Sequence, residues 1–434
     1  MGIVINKIAS YVVEGKFIDN IRKEIDEGIA RVGRYAMAMS SKSDPNKIFF
    51  HTQEDKYTCN PKYICEEFRR RGIDVDMVWR IRKNQREGIP LDCRVVNGGS
   101  VEFYKELFTS KYIISNSVLY VKKGFNLRRD QVVFQTWHGS LGFKNFGKKD
   151  YKGGWHWVQG AIATGRMTDY CVTNSSFVSE SLRNTYWPHT PMLEYGHPRN
   201  DIMFDSYAEK RKEVKRKFLK EQGLPADTHF IMYGPTFRDS KNFDVYDIDI
   251  DGVLDACRKR FGGEWKFLLR YHSALWNVCK DRNQIDNKDV IDVTDFEDMQ
   301  ELMTIADIGI TDYSSWLCDF MLQRRPGFIF AVDLEHYDGQ ERGLNYPMST
   351  TPFPIARNNR EMVNNILHFN EDDYLKKLEA FLDDKGCIED GHASERVVDK
   401  ILELMEADKK NKAHPGPRTF GDKVKSVLES VIAK

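Results

Sequence analysis

The sequence has no excess of charge: lysine plus arginine and aspartate plus glutamate each total 65, for a formal net charge of +0. A chain so balanced lacks the basic surplus that nucleic-acid binding draws on, so nucleic acid is not an expected partner. It also lacks any apolar run near the roughly 18 to 20 residues that span a bilayer, and its start lacks a basic-then-apolar leader pattern. The expectation is a cytoplasmic protein that at most lies on a membrane surface, which needs only an amphipathic helix or a basic patch. The eight cysteines (Cys59, Cys65, Cys93, Cys171, Cys257, Cys279, Cys318, Cys387) form no CxxC pair and are expected to be reduced, mostly buried thiols. No dedicated metal cluster and no short-period repeat is visible.

What is present suits a folded protein. Hydrophobic residues make up 41%, aromatics 12% and charged residues 30% of 434 residues. A chain of that length exceeds one ordinary core and predicts two α/β domains of roughly 150 to 200 residues. Near the start, Phe17, Ile18, Ile21, Ile25, Ile29, Val32 and Met37 recur at helical spacing, predicting an amphipathic helix whose apolar face packs on the protein or lies on a membrane, with packing favoured by its mixed-sign polar face.

From residue 47 the pattern changes to short apolar runs (KIFFH, VDMVW, KYIISNS, QVVFQTW, DYCVTNS) separated by helical stretches. A second series follows a charged helix: HFIMYGPTF, WKFLLRYH, DVIDVTD, ADIGITDYSS and PGFIFAVD. Alternation of this kind predicts parallel sheets built from βαβ units. The expected organisation is an amphipathic segment at 1–44, a Rossmann-like domain at 45–204, a second at 205–406, and a polar linker with a last amphipathic segment at 407–434. Ligands of such folds sit at the carboxyl ends of the strands, facing a common cleft, so motifs directly after strands deserve the closest reading.

Four such motifs stand out. Trp137-His138-Gly139-Ser140 follows VVFQT, and Leu141-Gly142-Phe143-Lys144 continues it. A neutral imidazole there can accept a proton from a hydroxyl, and the glycines let the backbone approach a ligand; the plainer alternative is a structural histidine in a tight turn. In Tyr233-Gly234-Pro235-Thr236-Phe237-Arg238-Asp239 the arginine can grip phosphate or pair with a carboxylate. Leu269-Arg270-Tyr271-His272-Ser273 sets a guanidinium and an imidazole two positions apart, which suits a diphosphate. Thr311-Asp312-Tyr313-Ser314-Ser315 lies between a strand and a helix, where backbone N–H groups and hydroxyls can hold an anion or serve as an ordinary cap. Asp319, one turn into that helix, is expected to be structural. The loop DLEHYDGQERG, with Asp333, Glu335, Tyr337, Arg342 and Gly343, can close over a donor or be a solvated charged loop.

Together TWHGS, GHPRND, YGPTFRD, RYH, ITDYSSWLCDF and DLEHYDGQERG resemble, in order and spacing, the CDP-glycerol glycerophosphotransferases, the teichoic-acid primases and polymerases of Gram-positive bacteria. KIFFHTQEDKYTCNPKYICEEF extends the likeness, which covers roughly residues 45 to 400. The resemblance implies two Rossmann-like domains facing a cleft (GT-B type) and transfer of glycerol phosphate from CDP-glycerol to a hydroxyl, releasing CMP. It maps the family's histidines to His138, as the base, and His272. Arg238 and the turn Thr311, Asp312, Ser314 and Ser315 would hold the diphosphate, with Arg270, Arg342 and Gly343 as further donor-site candidates. Gly139, Ser140 and Lys144 would lie on the acceptor side. The acceptor would be a polyol-phosphate polymer or lipid-linked primer at the cytoplasmic membrane face. No cofactor is required, although magnesium can sit on the diphosphate. One departure is WHGSLGFKNFG, where the family form is closer to WHGT-P-LKKLG. Other readings are the same chemistry with CDP-ribitol, a nucleotide-sugar glycosyltransferase or epimerase, and a non-catalytic membrane-surface scaffold.

Overall fold

The computed structural model describes residues 17–53, 55–82, 85–119, 127–128, 130–144, 155–236, 238, 244–271, 287–341 and 343–410. The last amphipathic segment, His272 and Arg342 lie outside the described residues.

In central strands such as Ser110–Ser115, Ile308–Thr311 and Gly327–Phe330 every residue is buried, as expected when helices cover both faces of a parallel sheet, whereas Arg94–Asn97, Met192–Glu194 and Val290–Asp292 toward the edges are mostly half-buried or exposed. The first sheet comprises β1 (Asp44–His51), β2 (Asp76–Ile81), β3 (Arg94–Asn97), β4 (Ser110–Ser115), β5 (Val132–Gln135), β6 (Tyr170–Thr173) and β7 (Met192–Glu194), in the order β3-β2-β1-β4-β5-β6-β7. The second comprises β8 (His229–Tyr233), β9 (Trp265–Leu269), β10 (Val290–Asp292), β11 (Ile308–Thr311), β12 (Gly327–Phe330) and β13 (Ile355–Ala356), in the order β10-β9-β8-β11-β12-β13. All pairings are parallel. Strand order reverses between β1 and β4 in one sheet and between β8 and β11 in the other, and crevices for ligands open at the carboxyl ends of such strand pairs.

The two units are tied together. One apolar core runs from Trp137, Leu141 and Phe143 into Phe230 and Ile310 of the second sheet and Trp316 and Phe320 of the helix Trp316–Phe320 that follows β11. Lys62, buried on the helix Cys59–Arg70, pairs with Asp298 at 2.6 Å and Glu301 at 2.8 Å.

Two placements differ from the sequence expectation. The helix Ala393–Lys410, within the stretch expected to complete the second domain, returns to the first sheet. Its Val397, Val398, Ile401 and Met405 pack with Ile48, Phe50 and Phe68. Asp408 there bonds Lys111 at 3.1 Å and the Tyr112 hydroxyl at 3.0 Å. In the helix Phe17–Ser40, Arg34 and Ala38 are buried, but Ile29, Val32, Tyr35 and Met39 are 49–68% exposed. Packing on the protein therefore engages only part of its apolar sequence. Among the described residues no helix is long and apolar enough to cross a membrane.

Candidate active site

At the end of β5 the chain makes a constrained turn. Trp137 adopts a left-handed backbone, φ 51°, which costs a non-glycine residue of the order of 1 to 3 kcal/mol unless its surroundings hold it. Here they do. The Trp137 N–H donates to the Gln135 side-chain oxygen at 2.8 Å, and the Asn60 amide donates to the carbonyls of Thr136 and Trp137 at 3.1 and 3.2 Å. The indole lies between the His138 imidazole, 4.6 Å away, and the edge of Trp187 at 5.2 Å. Gly139 is required because a Cβ there would come within 2.8 Å of the Trp137 indole nitrogen.

This turn aims His138 at the switch point of the first sheet. Its Nδ1 lies 2.7 Å from the carbonyl oxygen of Asn116, just past β4. A carbonyl only accepts, so Nδ1 carries the proton and Nε2 holds the ring's lone pair. Burial lowers the pKa of this half-buried histidine below the ordinary imidazole value; the Asn116 bond opposes that shift and the Arg199 charge adds to it. The imidazole is thus neutral near pH 7 and able to take a proton.

The continuation of the motif docks on the second unit. The Asn345 amide donates to the carbonyls of Gly142 and Lys144 at 3.0 and 2.9 Å, and the Asn345 N–H to that of Phe143 at 2.7 Å. Leu141 offers its carbonyl to the Cys318 thiol at 3.4 Å and to the Tyr346 hydroxyl. Gly142 abuts Ser315, where an added Cβ would stand 2.8 Å from the serine Cβ. His138 and the Thr311–Ser315 turn are therefore joined by a five-residue strap. Ser140, expected on the acceptor side, is instead buried, with its hydroxyl accepting from Asn174 at 2.8 Å. Lys144 pairs through its backbone with Leu344.

The second unit corrects the expectation for arginine. Arg238 is 1% exposed, pairs with Asp312 at 2.8 Å, and forms a two-pronged bond to Asp333 at 2.8 and 3.1 Å. Its remaining terminal nitrogen donates to the Thr236 carbonyl at 2.7 Å, and its plane lies 4.8 and 5.0 Å from the rings of Tyr313 and Tyr337. Two carboxylates and a carbonyl thus engage all three nitrogens of a buried guanidinium, which assigns Arg238 to holding the site together rather than to gripping phosphate. Asp312 is engaged likewise, accepting from the Thr236 N–H at 2.8 Å, and Thr311 bonds the Gly234 carbonyl at 2.7 Å. Arg270 donates to the carbonyls of Val293 and Phe296 at 3.0 and 2.7 Å, which ties down a loop. Asp333 and Tyr337 are likewise anchored, the latter stacked on Tyr313 at 3.8 Å, so the start of the Asp333–Arg342 loop is held rather than poised. Gly343 takes φ 68°, which favours glycine. What remains open is the pair Ser314 and Ser315, half-buried at the end of β11; the Ser315 hydroxyl does not cap the helix Trp316–Phe320 that it precedes.

The segment GHPRND, one of the family-like motifs near the end of the 45–204 stretch, forms a buried hub. Arg199 donates to the His138 carbonyl at 2.8 Å and pairs with Asp319 of the second unit at 2.9 Å. Asn200 donates to Asp319 at 3.1 Å and to Glu389 at 2.8 Å, and Asp201 caps the helix Ala393–Lys410 by accepting from the N–H groups of Ala393 and Ser394. The signal was available: an arginine and an asparagine after a proline, directly past a strand. Among the described residues no group of three or more His, Cys, Asp or Glu side chains is arranged to hold a metal ion.

Comparison with known proteins places the chain in a family. The family model for CDP-Glycerol:Poly(glycerophosphate) glycerophosphotransferase matches residues 34–403. A teichoic acid poly(glycerol phosphate) polymerase of Staphylococcus epidermidis is 30% identical over 82% of this chain and 50% of its own length. A teichoic acid glycerol-phosphate transferase of Staphylococcus aureus is 25% identical over 88% of this chain and 99% of its own. The chain thus spans about half the length of the first relative and nearly all of the second. A variant of the wall teichoic acid polymerase TagF, soaked with CDPG, superposes with a TM-score of 0.76 at 25% identity, covering 91% of this chain and 99% of that one. The matched span takes in both sheets and every motif above, and the chain belongs to the CDP-glycerol:poly(glycerophosphate) glycerophosphotransferase family.

Proposed function

We propose that the protein transfers glycerol phosphate from CDP-glycerol to a hydroxyl of a growing teichoic-acid-like or capsular polymer, or of its lipid-linked primer, on a two-Rossmann scaffold of the GT-B type. The observation that carries this reading is His138, with Nδ1 fixed on the Asn116 carbonyl at 2.7 Å and Nε2 left as proton acceptor at a sheet switch point. Nε2 takes the proton of the acceptor hydroxyl as its oxygen attacks the glycerol-bearing phosphorus. The phosphoanhydride bond breaks, and CMP leaves with the bonding electron pair. The Ser314 and Ser315 turn, which the strap 140–144 meets at Gly142, is the donor-side candidate among the described residues. His272 and Arg342 keep the donor roles that family membership suggests, while Arg238 and Arg270 act by holding the walls of the site. The reaction needs no cofactor, and a magnesium ion would ride on the donor's own phosphate oxygens.

The acceptor would bring the enzyme to the cytoplasmic face of the membrane. Support for a peripheral position is the exposed row Ile29, Val32, Tyr35 and Met39 on the helix Phe17–Ser40. The test is release of CMP from CDP-glycerol and, side by side, from CDP-ribitol, with polyol-phosphate and lipid-linked acceptors. Release from CDP-glycerol that depends on acceptor is expected. If neither donor yields CMP, the proposal fails.

A further inference from the structure

The hub behind His138 holds more than structure requires. The Glu389 side chain has no exposure, and it accepts from the Asn200 amide at 2.8 Å and from the His197 N–H at 3.1 Å. The same Asn200 amide serves Asp319 at 3.1 Å, and Asp319 faces Arg199, which in turn holds the His138 carbonyl. A continuous chain of contacts therefore leads from Glu389 to the base. Its members come from separate elements: Glu389 from the segment returning to the first sheet, where Ile388 bonds the Asn174 carbonyl at 3.0 Å, and Asp319 from the second unit. Four buried polar atoms here have no partner: both ring nitrogens of His197, Nε of Arg199 and the amide oxygen of Asn200. Orphaned buried atoms are rare and concentrate where groups serve chemistry rather than packing.

We propose that Glu389 is a positioning residue for His138, acting through Asn200, Asp319 and Arg199. The proposal rests on His138 being the base of the transfer reaction. Two carboxyl groups share one amide donor, so a negative charge on both is opposed. The charged and titratable groups facing Glu389 are Asp319, Asp201, Arg199, His197, Arg396 and Cys387. Burial first, and then Asp319, lift the Glu389 carboxyl to about 8, so it is neutral at pH 7 and leaves Arg199 to Asp319 and the His138 carbonyl. Once ionised it competes for Arg199 and loosens the turn that carries the base.

The test is CMP release from CDP-glycerol by wild type, Glu389→Gln and Glu389→Ala, with kcat and KM measured across pH and folding checked by circular dichroism. Glu389→Ala is expected to lower kcat about tenfold with KM for CDP-glycerol unchanged. Glu389→Gln, which cannot ionise and keeps an acceptor oxygen for the Asn200 amide while giving up the bond from the His197 N–H, is expected to recover most of kcat at pH 7 and to lack the wild-type decline above about pH 8. An identical alkaline decline in Glu389→Gln overturns the proposal, as does a Glu389→Ala enzyme whose kcat is intact. Should Glu389→Ala not fold, the Glu389→Gln pH profile decides alone. A wild type that releases no CMP removes the functional reading itself, whereas a working wild type with indifferent variants removes only this inference.

Discussion

The surroundings of His138 and of Arg238 are built on opposite principles. Arg238 follows β8 at the switch point of its sheet, His138 follows β5 and bonds the carbonyl just past the switch-point strand β4 of the other, and both sit in motifs that point to contact with substrate. Around His138 the neighbours fix one ring nitrogen and the backbone on either side, and Nε2 remains as a proton acceptor. Around Arg238 two aspartates and a carbonyl engage all three guanidinium nitrogens, and two tyrosine rings lie against its plane. A motif residue can thus serve a site by reacting or by holding it, and the distinction lies in which of its polar atoms stay unengaged. The first kind should fail in rate and the second in stability.

Arg238→Ala is the severest way to break this comparison. It would leave Asp312 and Asp333 without their cation, one of them fully buried, and removing one partner of a buried pair costs about 3–5 kcal/mol. Chemical denaturation should register that loss, and a stable but inactive Arg238→Ala protein would instead return Arg238 to the ligand. His138→Ala is the converse. The half-buried ring should be dispensable for folding, while CMP release slows about a hundredfold, roughly 2.7 kcal/mol of barrier. The pH profile sharpens the point. Since burial holds the His138 pKa below about 6.5 and the base must be neutral, kcat/KM should fall on the acid side only below that value.

Stability alone separates a protonated from an ionised Glu389. The Glu389 carboxyl ordinarily titrates near 4.5 and is raised to about 8 in the fold. A raised carboxyl binds its proton more tightly when folded, so its contribution is fully present below about pH 4.5 and is lost as pH rises to about 8. Glu389→Gln has no such loss. Its melting temperature relative to wild type should climb through that window and level off above it; a constant difference would show that Glu389 does not hold a proton there.

The central strands were legible because they are short, largely apolar runs between amphipathic helices, and the motifs were legible because they directly follow those runs; the edge strands Arg94–Asn97, Met192–Glu194 and Ile355–Ala356 are too short or too polar to show in the pattern. Partnership across distance was not. The apolar spacing of Val397, Val398, Ile401 and Met405 announces a helix, but nothing local says that it packs beside Ile48 and Phe50 rather than on the second sheet. Arg238 meets Asp333 95 residues further on, and a local reading sees only Asp239 beside it. Glu389 stands in the polar run IEDGH, where a carboxylate ordinarily faces water, and only the return of the chain buries it.

The smallest effect separates contact from support within the His138 motif itself. Ser140 lies two residues from the base, and a serine there on the acceptor side would touch the incoming polymer. Instead its hydroxyl accepts from the Asn174 amide at 2.8 Å in a buried setting. Ser140→Ala removes that acceptor and should cost about 1 kcal/mol of stability, the usual net worth of such a bond. The KM for the acceptor should be unchanged once rates are corrected for folded protein. A raised KM with unaltered stability would move Ser140 back among the groups that meet the acceptor, and would mean that the strap 140–144 reads the polymer as well as joining the two units.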